Sequence, residues 1–261
     1  MAFEVNAVFP GVRHIRDEMG ACMTLLTGEE RALLMDAGYG TEDVRAFVRT
    51  LTDKPLTVIL THSHHDHALG ARWFDQVHLM EADCGTYGEF IGPAMRQRVA
   101  RQAAGKGIRV DDVFLTADFP APIPLVPCEI DLGGLTAQII SCPGHTPGSA
   151  AVYVPQHRLL LTGDDWNPCT WLFFEAALGV KAYRRNVRAL LALPFRHVLC
   201  SHQLRMYPRK TMEAFLDELT DEALRAAEKV AIAPYTHIDT RQVRLPEEQV
   251  FVFNYAKAEL D

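Results

Sequence analysis

Four side chains able to bind a metal ion lie within six residues of one another in this chain. His62, His64, Asp66 and His67 occur in residues 61–70, which read Thr-His-Ser-His-His-Asp-His-Ala-Leu-Gly. Imidazole and carboxylate together suit Zn²⁺, Fe and Mn. Such a density of ligands in one short segment predicts a metal site.

The residues that precede this run predict the element that positions it. Residues 56–60, Leu-Thr-Val-Ile-Leu, are mostly apolar and are typical of a buried strand. The ligand run therefore starts at the carboxyl end of a strand, where open α/β layers commonly bind their ligands.

Three further candidate ligands occupy the same kind of position, each just after an apolar strand. His145 follows residues 136–141, Asp164 follows residues 159–162, and His202 follows residues 197–200. Prolines and glycines on both sides of His145 make a stiff turn that can aim one imidazole. A single histidine after a strand is more often structural, but these three residues beside the first run favour one shared metal centre.

The ordered set of residues resembles the metallo-β-lactamase superfamily of hydrolases. The turn over residues 143–148, Pro-Gly-His-Thr-Pro-Gly, is most similar to the glyoxalase II-like branch. The resemblance implies an α/β fold, a four-layer αββα sandwich with two divalent metal ions between its sheets. Carried over residue by residue, it implies that His62, His64 and His145 bind the first ion, that Asp66, His67 and His202 bind the second, and that Asp164 bridges them. Asp36 matches the family's acidic position that orients a ligand imidazole. His65 occupies a variable position of the motif, and we expect its side chain to bind neither ion.

The activity that the resemblance implies is hydrolysis of a small ester, thioester or lactone by a metal-bound hydroxide. Two divalent ions about 3.5–4 Å apart lower the pKa of a shared water from about 15.7 to about 7. Asp66 would accept a hydrogen bond from this hydroxide, which gives it a catalytic role as well as a ligand role. Zinc is the expected metal, and iron or manganese also suits these ligands.

Other branches of the same superfamily supply the alternatives. The β-lactamases proper usually place cysteine at the position of Asp164, so we expect β-lactams to be poor substrates. The basic residues with which glyoxalase II reads glutathione have no match between His202 and Asp261. A mononuclear iron persulfide dioxygenase uses a subset of these ligands and a phosphodiesterase uses the same set, so both stay open.

Length and charge limit the class of protein. The 261 residues are 48% hydrophobic, enough to bury a sizeable core, and candidate ligands lie on both sides of the proline-rich residues 120–127. We therefore expect a single domain over residues 1–261. The net charge of −7 disfavours a broad nucleic-acid surface. No apolar run reaches the roughly 18 residues that a membrane span needs.

The termini and the cysteines indicate the compartment. Residues 1–11 lack the basic and apolar regions of a secretory signal. The six cysteines are scattered without a Cys-x-x-Cys pair, which favours free thiols in a reducing cytosol. We expect a cytoplasmic enzyme with a small-molecule substrate, without a nucleic-acid or membrane partner, and with an oligomeric state that the sequence leaves open.

Periodicity predicts the remaining elements. We expect strands over 5–12, 21–27, 31–36, 77–80, 150–154, 242–245 and 249–253, and helices over 41–51, 93–104, 182–192 and 211–231. Residues 82–127 form either a lid over the site or a packed helical layer. Residues 166–174 hold four aromatic side chains that line a substrate pocket or belong to the core.

Overall fold

A computed structural model describes residues 3–260 of the protein. Its first sheet has seven strands, in the order in which they occur in the chain. These strands are β1 (Phe3–Phe9), β2 (Val12–Asp17), β3 (Cys22–Thr27), β4 (Ala32–Met35), β5 (Leu56–Ile59), β6 (His78–Met80) and β7 (Ile123–Leu125). Strands β1 to β4 form an antiparallel meander, whereas β4 to β7 are parallel.

The second sheet has six strands in the order β14-β13-β11-β10-β9-β8. Its strands are β8 (Cys128–Asp131), β9 (Thr136–Ser141), β10 (Ala150–Val154), β11 (Leu159–Leu161), β13 (His197–Cys200) and β14 (Gln203–Pro208). A third sheet of four strands, in the order β12-β17-β16-β15, comprises β12 (Cys169–Leu172), β15 (Glu228–Lys229), β16 (Thr240–Leu245) and β17 (Gln249–Asn254).

Seven α-helices complete the described part of the chain. They are α1 (Val44–Leu51), α2 (His65–Ala68), α3 (Glu81–Ile91), α4 (Pro93–Gly105), α5 (Val180–Ala189), α6 (Arg209–Glu218) and α7 (Asp221–Arg225). No helix among the described residues is both long and apolar enough to span a bilayer.

The layers form because side chains along each strand point alternately to the two faces of the sheet. Leu33 and Met35 on β4 pack with Val152 and Val154 on β10, so they form the core between the first two sheets. Their neighbour Leu34 packs on the opposite face with α1. Successive strand residues point to opposite faces, and here the residues on both faces are apolar. Each sheet must therefore be covered by another layer on both of its faces.

The outer face of the second sheet is covered in the same way. Tyr153 on β10 packs with α5 and α6, and the third sheet adds Phe251 and Phe253 to this cluster. The four-layer αββα sandwich that the resemblance implies is therefore confirmed. The third sheet is an addition that the predicted fold did not include.

Two element predictions are wrong in an informative way. The predicted strand over residues 5–12 is a hairpin, because the chain turns after Pro10 at Gly11, where φ is 74° and an added Cβ would lie 2.6 Å from the Thr27 carbonyl oxygen. The predicted helix over residues 211–231 is two helices and a strand. The predicted helix is interrupted at Thr220, because the side chain of Thr220 accepts a hydrogen bond from Ala223 N and caps the start of α7.

Candidate metal centre

All seven predicted ligands lie at one edge of the sandwich, just beyond the ends of strands. His62 and His64 follow β5, and Asp66 and His67 lie in the single turn α2. The other three occupy the turn between β9 and β10, the segment after β11, and the turn between β13 and β14; these are His145, Asp164 and His202. The strand-end positions inferred from the sequence thus converge in space.

The side chains form two adjacent clusters of possible ligand atoms. One atom from each of His62, His64 and His145 lies within 4.8 Å of the other two, and Asp66, His67, Asp164 and His202 form a second set with the same limit. In the first cluster, His64 Nδ1 and His145 Nε2 are 2.9 Å apart. His65 belongs to neither cluster.

Asp164 lies between the two clusters. Its Oδ2 is 3.6 Å from His145 Nε2 in the first cluster. The same oxygen is 3.0 Å from His202 Nε2 and 3.6 Å from His67 Nε2 in the second. One carboxylate oxygen can therefore approach groups of both clusters, as a bridging ligand must.

Buried polar atoms in the clusters have no hydrogen-bond partner among residues 3–260. They are His62 Nε2, His67 Nε2 and Asp164 Oδ1. Leaving such a group unsatisfied in a protein interior costs about 1–3 kcal/mol. Imidazole nitrogens and carboxylate oxygens that converge while buried and unpaired fit divalent metal ions, and the donor set suits zinc or iron.

The second ring nitrogen of three histidines is held by neighbouring groups. His145 Nδ1 donates to the carbonyl oxygen of Trp171 at 2.7 Å, and His67 Nδ1 donates to Asp36 Oδ2 at 2.9 Å. His62 Nδ1 lies 3.0 Å from the Thr61 hydroxyl. A donated Nδ1 proton leaves the Nε2 lone pair free, which fixes both the tautomer and the direction in which the ring can bind a metal.

The clusters also differ in charge. Burial, together with the neighbouring imidazoles, lowers the pKa values of His62 and His64 well below their usual range, which favours the neutral form of both rings. Burial also lowers the pKa of His145. Burial alone would raise the pKa of Asp164, but His202 and His67 hold it well below its usual range. The second cluster therefore presents carboxylates that remain ionised.

Asp36 is buried behind both clusters, as its match to the family motif suggests. It accepts hydrogen bonds from Thr61 N at 2.7 Å and from the Thr61 hydroxyl at 3.0 Å, besides that of His67. Its φ of 68° is unusual for a residue other than glycine. The carboxylate thus fixes the start of the ligand run and one ligand ring together.

We expect Asp36→Asn to weaken metal binding by about 10–100-fold, the usual effect of losing a group that orients a ligand. The amide keeps the size of the side chain but cannot accept from Thr61 and His67 with both of its polar atoms. Competition with a chromogenic chelator measures the affinity. The exposed Asp53→Asn variant is the matched control, and equal affinities of the two variants would contradict the orienting role.

Asp83 is a residue of the site that the sequence did not reveal. It is fully buried in the first turn of α3. Its carboxylate accepts from Ser63 N at 3.0 Å, from the Thr146 hydroxyl at 2.7 Å and from Gly148 N at 2.7 Å. Asp83 therefore ties the loop of His62 and His64 to the turn that carries His145.

Asp165, the neighbour of Asp164, supports the adjacent turn of His145. It is buried, and its Oδ1 accepts from the backbone N–H of His145 at 3.1 Å. Burial raises its pKa well above the usual range. It supports the His145 turn and belongs to neither ligand cluster.

A cavity of about 440 Å³ opens onto both clusters. Phe90, Trp171 and Phe174 form its aromatic wall. The polar lining outside the clusters comprises Tyr39, His65, Arg98, Gln102, Asn167, Gln203 and Tyr235. A volume of this size suits a small molecule.

The aromatic segment over residues 166–174 is divided between the pocket and the core. Trp171 and Phe174 line the cavity. Trp166 and Phe173 are fully buried, and Trp166 packs edge-on against Tyr207 at 5.5 Å between ring centroids. Within residues 82–127, α3 and α4 form a packed helical layer. The same two helices present Phe90, Arg98 and Gln102 to the cavity.

Known proteins share parts of this sequence. A model of the metallo-beta-lactamase superfamily matches residues 18–202. An uncharacterized protein of Mycobacterium tuberculosis is 32% identical over 162 residues, which cover 57% of this chain and 65% of that protein. The acyl-coenzyme A thioesterase MBLAC2 of Gallus gallus is 26% identical over 164 residues, which cover 57% of this chain and 59% of the thioesterase. The matches thus span less than two thirds of either relative.

Solved structures share the fold. A metallo-beta-lactamase family protein from Thermus thermophilus aligns with a TM-score of 0.58 and 22% identity, over 84% of this chain and 82% of that one. A protein solved in a di-iron-bound form aligns with a TM-score of 0.57 and 23% identity, over 78% and 96% of the two chains. The matched residues 18–202 include every candidate ligand, and the chain belongs to the metallo-beta-lactamase superfamily.

Proposed function

We propose that this protein is a hydrolase that uses two divalent metal ions, with zinc as the expected metal, to cleave a small ester, thioester or lactone. The observation that carries the proposal is the pair of ligand clusters that approach the same Asp164 oxygen and face one cavity. Because ligands from both large sheets contribute to this centre, we also propose that the chain acts as one domain.

Ions bound at the two clusters would lower the pKa of a shared water and polarise the substrate carbonyl. The side chains then have separate tasks. Asp66 lines the cavity and lies 3.6 Å from the Nε2 atoms of His67 and His202, so it can accept a hydrogen bond from the attacking water and orient it. Trp171 and Phe174 cover apolar parts of the substrate and exclude bulk water.

Two observations favour this reading over a single-iron dioxygenase. The second cluster has four possible ligands, two of them ionised carboxylates, and a mononuclear enzyme would not need this complete second set. The relative from Gallus gallus is named as a thioesterase, which supports thioesters as the first substrates to examine.

The test is a metal assay followed by a hydrolysis screen of the same protein. We expect two ions per chain, and the fastest turnover among thioesters, esters and lactones rather than phosphodiesters or a β-lactam. Protein stripped of metal and reloaded with zinc or with iron provides the control for metal identity. One iron per chain, with oxygen uptake and no hydrolysis, would overturn the proposal.

A further inference from the structure

Helix α4 contributes two polar side chains to the cavity. Arg98 and Gln102 are four residues apart, so they lie on the same face of the helix. Arg98 is half-buried, and its Nη1 donates to the Tyr235 hydroxyl at 3.2 Å. Tyr235 in turn packs its ring 5.5 Å from that of Phe174. The guanidinium is therefore oriented by a tyrosine that belongs to the aromatic side of the pocket.

The charge of Arg98 has no acidic counterpart in the described part of the chain. Among the described residues that line the cavity it is the only lysine or arginine, and the only acids there are the candidate ligands Asp66 and Asp164. Within residues 3–260, no carboxylate oxygen forms an ion pair with its guanidinium. The positive charge of two divalent ions would already exceed the negative charge of the two ligand carboxylates, so Arg98 is not needed to neutralise these carboxylates.

A half-buried, oriented guanidinium without an acidic partner is suited to bind an anion. Its planar N–H groups match the paired oxygens of a carboxylate or a phosphate. In the same cavity Phe90, Trp171 and Phe174 offer apolar contact. The lining thus combines a reaction centre, an apolar wall and a cationic side chain.

We propose that Arg98, oriented by Tyr235, binds an anionic group on the substrate, so that the preferred substrate is an ester or thioester whose acyl chain ends in a carboxylate or phosphate-like group. This inference rests on the proposed hydrolase function and adds the charge of the substrate to it. Arg98 is then a specificity-determining residue, and Tyr235 is a positioning residue that acts through it.

The kinetic test uses three thioesters with one thiol in common. Their acyl chains end in a carboxylate, in the neutral carboxamide of that carboxylate, and in a phosphonate, so that the two kinds of anion are separated. We expect the zinc-loaded protein to prefer one anionic substrate over the carboxamide by at least about tenfold in kcat/KM. Arg98→Gln should lower kcat/KM for that anion by about 10–100-fold, mainly through KM, and change the neutral substrate by less than about threefold.

Two further variants separate a specific role from a structural one. Tyr235→Phe keeps the ring but removes the hydroxyl, so we expect a smaller loss for the anionic substrate and none for the neutral one. Arg101→Gln removes an exposed charge from the same helix and should leave both substrates unchanged. Equal losses on both substrates in Arg98→Gln, or an equal anion-specific loss in Arg101→Gln, would overturn the proposal.

Binding measured without turnover distinguishes failure of this inference from failure of the proposed function. Calorimetry with thioether analogues, which cannot be hydrolysed, compares the anionic and neutral chains on proteins of equal metal content. An anion preference that disappears in Arg98→Gln supports the site even if no thioester is cleaved, in which case the hydrolase proposal alone fails. Equal binding of both analogues by the unaltered protein overturns the anion site even if hydrolysis proceeds.

Discussion

Asp164→Ala is expected to reduce the bound metal from two ions per chain to one or none, and to lower hydrolysis by at least about 10³-fold. The physical reason is the position of its Oδ2, which lies 3.0 Å from His202 Nε2 and 3.6 Å from His145 Nε2. If Asp164 bridges the two ions as proposed, loss of its side chain removes a ligand from each ion and the negative charge that lies between the two clusters. Metal content and turnover are measured on the same preparation.

The isosteric variant Asp164→Asn keeps this experiment decisive if the alanine variant folds poorly. Asparagine retains the volume and one oxygen but loses the charge, so we expect a partial loss of metal with an unchanged circular dichroism spectrum. The exposed Asp118→Asn variant controls for the removal of one negative charge. Two ions per chain and normal turnover in Asp164→Ala would show that this residue does not bridge the ions.

The candidate ligand positions could be inferred from the sequence because each depends on local information. An apolar strand and the polar residue just beyond its end are adjacent in the chain, as with residues 56–60 and His62. The ends of neighbouring strands in a layered α/β fold meet at one edge. His145, Asp164 and His202 therefore needed no knowledge of the tertiary structure, only recognition of three strands that end before them.

Residues that support the candidate ligands could not be inferred in this way. Asp83 lies 20 residues from Ser63 and 65 residues from Gly148, and in the sequence it follows no predicted ligand motif. Trp171 holds His145 through its carbonyl oxygen, a group that every residue has. Such contacts depend on which loops are brought together, and that depends on packing over the whole chain.

Local sequence patterns also could not predict which residues line the cavity. Trp166 and Trp171 lie in one aromatic segment, yet Trp166 is fully buried in the core and Trp171 is 38% exposed at the cavity. The difference arises because Trp171 lies in β12, which pairs with β17 in the third sheet. Strand β17 comes about 80 residues later in the chain, so this pairing cannot be read from the local sequence. The role proposed for Arg98 likewise depends on its contact with Tyr235, which lies 137 residues away in the chain.

Asp83→Ala is expected to lower the free energy of unfolding by about 2–4 kcal/mol and the metal affinity by about 10–100-fold. The variant leaves Ser63 N, the Thr146 hydroxyl and Gly148 N without their shared acceptor in a fully buried place. It therefore releases the two ligand-bearing loops from each other. Denaturant unfolding of the metal-free protein measures the first effect, and chelator competition measures the second.

The neighbouring acid Glu81 separates this bridging role from a general effect of negative charge at the start of a helix. Glu81 and Asp83 both lie in the first turn of α3, but Glu81 is exposed. A favourable interaction with the helix dipole is worth only about 0.3–1 kcal/mol and would be lost in either variant. Glu81→Ala should therefore show this small loss with unchanged metal affinity, whereas Asp83→Ala should show both larger effects. Similar stability and metal affinity in the two variants would mean that the loops of His62 and His145 hold their positions without the buried carboxylate.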